Sequence, residues 1–111
     1  MYPQAAVDYL VSQGWNLQHG YNEYRWGGYL IWARIPVFID GRADVYGDAF
    51  INEYVRISHI RKDWRALLDQ YEVEYVLIES TSSLAVLLEE TAEWEQVYED
   101  GVAGVFVRSR N

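Results

Sequence analysis

The chain has 111 residues, 50% of them apolar and 16% aromatic, with 17 Asp and Glu against 9 Lys and Arg and no Cys. That length suits one domain, and the aromatic content excludes a disordered chain. The lack of Cys excludes thiol nucleophiles, zinc–thiolate sites and disulfides. The net charge of −8 argues against a nucleic-acid partner, which is held by neutralising its phosphates with a basic face.

Pro3 suits the first turn of a helix and Gly14 its end, with Ala6, Tyr9, Leu10 and Gln13 sharing a face between them. Trp15, Leu17 and His19 alternate with polar residues, as in a short strand closing at Gly20. Asn22 can cap a second helix over 23–33, with Glu23 in its positive first turn. Within it, Gly27 and Gly28 point to close backbone packing. Pro36 opens the run Val37, Phe38, Ile39, apolar on both faces as a buried parallel strand would be.

Residues 40–47, DGRADVYG, read as a loop. Asp48 can start a helix bearing Phe50, Ile51, Tyr54 and Val55 on one side. Asp63 can start another, striped with Trp64, Leu67, Leu68 and Tyr71. A buried strand follows at 75–78. Ser80, Ser82 and Ser83 offer caps ahead of Leu84, Leu87 and Leu88. Asp100 and Gly101 join two β-rich runs, 95–99 and 102–108, as a hairpin.

Strands alternating with helices predict an α/β fold: a three-layer sandwich around a mostly parallel five-stranded sheet of order 2-1-3-5-4, closed by a C-terminal antiparallel hairpin. The polar first strand of that hairpin belongs at the edge and the apolar second inside. The first twenty residues carry no basic region and no long apolar stretch, so they do not read as a signal peptide. No apolar run approaches the roughly 20 residues of a bilayer-spanning helix. Residues 69–100 hold ten acids and no Lys or Arg, against seven of each sign in 1–68. This is a solvated face, or one turned away from an anionic membrane or toward a basic partner.

Ligands of open α/β sheets bind beyond the carboxyl ends of the strands. Two stretches would meet there. Asp40, Arg42 and Asp44 follow the predicted strand at 37–39. They could hold a cation or a polyol, or brace their own loop as an ion pair. Asn22, Glu23, Arg25 and Trp26 follow the first strand and complete the candidate ligand- or partner-binding set, with helix capping as the alternative. The spacing of Asp40 and Asp44 is not that of an EF-hand, and no metal site is predicted. His19 and His59 lack companions. No GxSxG, HExxH or Walker pattern occurs, so no catalytic residue and no cofactor is implied.

The segments YNEYRWGGYLIW, PVFIDGRADVYGD, WRALLDQYEVEYVLIE and WEQVYEDGVAGVFVR resemble a soluble C-terminal domain of bacterial polytopic membrane proteins. More distantly, they are similar to the segment after the membrane region in oligosaccharyltransferase catalytic subunits. There a WWDYG core reads the acceptor peptide. Tyr24, Arg25, Trp26 and Gly27 stand in its neighbourhood, with Arg25 at the place of that motif's Asp. The resemblance implies that 1–111 is one α/β domain of a longer membrane protein. It would be a non-catalytic extracytoplasmic accessory domain of a glycosyltransferase-like parent, packing on the transmembrane part or helping to bind a carbohydrate or acceptor polypeptide. Met1, Tyr2 and Pro3, leading straight into a helix, fit such an excised domain. The alternative is a small sugar- or cation-binding module built on the 40–44 loop. A free-standing hydrolase built on Asp40 and Asp44 lacks a visible base with an orienting partner.

Overall fold

The computed structural model describes residues 1–39 and 46–109. The predicted calls on Asp40, Arg42 and Asp44 lie outside the described residues. Helix α1 spans Gln4–Gln13, entered at Pro3 and ended by Gly14 in the left-handed region at φ 78°. Strand β1 is Gly20–Asn22, and α2 is Gly27–Trp32. Helices α3 (Asp48–Ser58) and α4 (Trp64–Gln70) lead to strand β2 (Tyr75–Glu79). Helix α5 (Ser83–Glu90) is capped by Ser82, whose Oγ accepts the Ala85 N–H at 3.1 Å. Strands β3 (Trp94–Glu99) and β4 (Ala103–Arg108) complete the chain.

The sheet has four strands in the order β1-β2-β4-β3. β1 and β2 pair in parallel, whereas β4 runs antiparallel to both β2 and β3. Period-two alternation sorts its side chains onto two faces. Val76, Ile78 and Phe106 join Tyr21 in a core covered by Tyr54 and Ile57 of α3, Trp64 and Leu68 of α4, and Leu84 and Leu88 of α5. Tyr75, Leu77, Val105 and Val107 meet Ala6, Val7 and Leu10 of α1 and Leu30 of α2 on the other face. Between Gln96 and Tyr98 an extra residue, Val97, shifts the β3–β4 register, a bulge near one edge of the sheet.

The five-stranded, mostly parallel sheet is overturned: the sheet is four-stranded and mixed, and two of its three pairings are antiparallel. The missing strand is 37–39, and one side chain explains it. Asn22 is the one buried polar residue among the described residues. Its Oδ1 accepts the Phe38 N–H at 2.7 Å, and its Nδ2 donates to the Ile39 carbonyl at 2.9 Å. A side chain thus supplies the donor and acceptor that a neighbouring backbone would supply in a ladder. Pro36, entering the same segment, has no N–H to give. Asn22 is therefore not a helix cap, and the segment lies beside the sheet edge without joining it.

Two further elements differ from the prediction. Residues 15–17 curl into a 3-10 turn instead of a strand, and β1 starts at Gly20. A Cβ at Gly20 would stand 2.1 Å from the Tyr75 ring, so only Gly allows β1 to approach β2 at this point. The helix expected over 23–33 is split into a 3-10 turn at Tyr24–Trp26 and α2. Gly27 is buried as expected from close packing, but Gly28 faces open space.

Helices α2, α3 and α4 end without glycine. Arg34, Ile60 and Glu72 take the left-handed conformation at φ 65°, 54° and 53°. Each is followed by a backbone bond spanning the last turn, from Ile35 to Leu30, Arg61 to Arg56 and Val73 to Leu68.

Asn22→Ala removes the partners of the Phe38 N–H and the Ile39 carbonyl while leaving both beside the core. A loss of about 2–3 kcal/mol is expected in urea denaturation, because buried polar groups left unpaired forfeit their hydration without compensation. A change under about 0.5 kcal/mol would show that the clamp is dispensable.

Candidate functional site

β1 and β2 are parallel, so their carboxyl ends share one rim, and a charged cluster sits on it. Glu23 follows β1, and its Oε1 accepts the backbone N–H of Glu79, the last residue of β2, at 3.2 Å. The Arg25 guanidinium pairs with the Glu79 carboxylate. Tyr54, from α3, accepts the Tyr24 N–H on its hydroxyl at 2.8 Å, and the Tyr21 hydroxyl donates to the Tyr54 carbonyl at 3.5 Å. The rings of Tyr21 and Tyr54 stack at 5.3 Å. Two carboxylates, one guanidinium and two largely buried phenols thus converge at the end of a parallel strand pair.

Burial sets the electrostatics. Glu23 is driven above the usual carboxylate range chiefly by desolvation, and the neighbouring Glu79 charge adds to this. The Glu79 N–H and Arg25 pull the other way. Tyr54 is pushed up to about 12, first by burial and then by Glu23. Burial also raises Tyr21, with help from Tyr54. Both phenols are neutral at physiological pH, and each is already in a hydrogen bond.

The predicted residues divide as follows. Glu23 and Arg25 belong to the rim cluster. Asn22 is spent on the clamp to 38–39. Trp26 is buried in the core between α1, α2 and the sheet, where its Nε1 donates to the Met1 carbonyl at 3.2 Å. It is almost wholly covered, with only an edge at the cleft beside Arg25 and Glu79. Because Asn22 grips Ile39, the residue that precedes Asp40 is fixed beside the rim. Glu79 and Tyr54 were not singled out from the sequence. A signal for Glu79 existed, since it closes four buried apolar residues at a strand's carboxyl end. Tyr54 was read as one more member of an apolar helix stripe.

Chemically the cluster is closed on itself. The cleft beside it, between Arg25, Glu79, Thr81 and Gly101, measures about 250 Å³, below the roughly 300–1,000 Å³ of small-molecule sites. A second cleft of about 310 Å³ lies between 17–20 and 36–38, walled by Phe38, Phe50 and Tyr71. The hydroxyl–carboxylate pairs between described residues are Tyr71 with Glu53 and Tyr98 with Asp100. Both phenols are raised to about 12, Tyr71 first by desolvation and Tyr98 first by the bond to Asp100, so neither is a nucleophile near neutrality. Among the described residues no group of three or more His, Asp and Glu side chains is placed to hold a metal ion. Nor is any helix there long and apolar enough to cross a membrane. Comparison with protein-family models, with curated proteins and with solved structures gives no match.

Glu23 carries a testable pH signature. Its folded-state pKa lies above the ordinary 4.5, so the fold prefers the protonated form. The cost of ionising it is absent below pH 4.5 and complete above the raised value. Glu23→Gln keeps an acceptor for the Glu79 N–H and carries no charge. The variant should melt higher than the parent at pH 7, with the gap closing toward pH 4. A melting curve that is lower at pH 7, or a gap independent of pH, would show that Glu23 is stabilised by ionisation.

Proposed function

We propose that this chain is a non-catalytic accessory domain of a membrane-bound glycosyltransferase-like protein, displayed on the extracytoplasmic side and helping to bind an acceptor or partner. The observation that carries the reading is the closure of the rim cluster. Glu23 accepts the Glu79 N–H, Arg25 pairs with the Glu79 carboxylate and Tyr54 holds the Tyr24 N–H at the place where a doubly covered sheet would hold its chemistry. What the domain leaves open to a partner is apolar instead: Tyr2, Ile31 and Trp32 are exposed on one side. The likeness of the segments 21–32 and 64–79 to domains that follow membrane regions supplies the context.

The coding sequence upstream of Met1 tests this reading. In-frame codons for several membrane-spanning segments are expected, and a stop codon directly upstream would overturn it.

One observation favours a second reading, a sugar- or cation-binding module: the Asn22 clamp holds Ile39, the residue before Asp40 in the sequence, and Asn22 itself precedes Glu23. Titrating the 15N-labelled chain with neutral oligosaccharides and with Ca²⁺ or Mg²⁺ decides it. Amide shifts centred on Asn22, Glu23, Asp40, Arg42 and Asp44 are expected for such a module. Their absence at millimolar ligand would remove it.

A further inference from the structure

The outward side of α2 is built unlike the rest of the surface. Gly27 and Leu30 turn inward, which leaves Gly28, Ile31 and Trp32 outside. Trp32 is 77% exposed, Tyr2 63% and Ile31 45%. The Tyr2 ring stacks on Tyr29 at 4.9 Å and 12°, and Tyr29 meets Trp32 at 5.8 Å. Because Gly28 has no side chain, these rings border a shallow apolar cleft of about 410 Å³. Leaving an indole and a phenol in water forgoes a large hydrophobic gain, and contiguous patches of this kind mark contact surfaces.

We propose that this face seats in the boundary between headgroups and acyl chains of a lipid bilayer. Trp and Tyr favour that depth, because each has an apolar ring and a polar handle that stays wet. Charge supports the same orientation. Residues 24–37 carry no acid and two arginines, of which Arg25 is paired with Glu79 and Arg34 lies on this face, whereas residues 69–100 carry ten acids and no base. Arg34 is exposed one turn-end beyond Trp32, where its guanidinium can reach lipid phosphates while the rings go deeper. Helices α4 and α5, with Asp69, Glu89 and Glu90, pack on the opposite face of the sheet, away from this surface. A sugar is the poorer occupant: the cleft is lined by Tyr2, Gly28, Tyr29 and Trp32, with no amide or carboxylate to read ring hydroxyls. A second copy would bring two arginine-bearing faces together. The inference deepens the accessory-domain reading and rests on it for the presence of a membrane.

The test uses the 15N-labelled chain with isotropic phosphatidylcholine bicelles carrying a headgroup spin label. Signal loss is expected at residues 2 and 28–34 and not along α5. Trp32→Ala should lower the bound fraction roughly tenfold, the value of withdrawing one large ring from an apolar environment. Its melting curve should match the parent's, because the ring makes little of the core. Even signal loss across the chain, loss centred on α5, or no loss at all would overturn the proposal. So would perturbation of residues 2 and 28–34 by raising protein concentration without lipid, which indicates a second copy, or by soluble oligosaccharide, which indicates a sugar site. Upstream membrane segments without bicelle contact would overturn this inference alone. Bicelle contact without such segments would overturn the accessory-domain reading alone.

Discussion

A single amide side chain decides the shape of this protein at the end of β1. Asn22 holds Phe38 and Ile39 through both of its polar ends, at 2.7 and 2.9 Å, and is itself buried. Three consequences follow from that grip. The 37–39 run is kept at the flank of the sheet without becoming a strand, so β1 is left as the last strand on that side. Ile39 is held next to the carboxyl end of β1. The Phe38 ring is carried into an aromatic group with Tyr21, Phe50 and Tyr71, at centroid distances of 5.0 to 5.2 Å. Sheet width and part of the core thus depend on one residue's hydrogen bonds.

Where local signals and burial agreed, the sequence could be read. Pro3 and Gly14 bracket α1, the stripe of Trp64, Leu67 and Leu68 is the buried side of α4, and Ser82 is the cap of α5. The Asp100 turn also follows its chemistry: one carboxylate oxygen accepts the Val102 and Ala103 N–H groups at 2.7 and 2.8 Å, and this holds the acid below its ordinary range together with the larger effect of the Tyr98 hydroxyl. The polar strand lies at the edge and the apolar one inside, as their composition demands. The errors arose where a tertiary contact overrode composition. Val37, Phe38 and Ile39 have every residue a buried strand needs, but pairing also needs a free neighbour, and Asn22 had taken that role. Periodicity cannot register such an interaction, because it joins residues sixteen and seventeen apart.

The candidate site was legible by location more than by membership. The rule that places ligands beyond parallel strands pointed at the rim where Glu23 and Arg25 meet Glu79. It could not show that the strand partner's Glu79 would occupy Arg25, or that Trp26 would turn inward beneath Met1. An arginine between aromatic residues looks like a binding motif in one dimension. In three it is half of an ion pair beside a buried indole. The exposed rings of Tyr2 and Trp32 show the reverse, aromatic side chains left outside the core.

The strand order has a bearing on how the chain reaches its fold. β4 is the last of the four to be synthesised, yet it lies between β2 and β3, bonded to both. Until residue 108 has left the ribosome, β2 has only the three-residue β1 beside it, and β3 has no sheet neighbour at all. Both halves of the core, each drawing on β4 through Phe106 on one face and Val105 on the other, stay incomplete until β4 has emerged. Closure of the sheet therefore waits for β4, and unpaired strand edges are exposed to neighbours in the meantime.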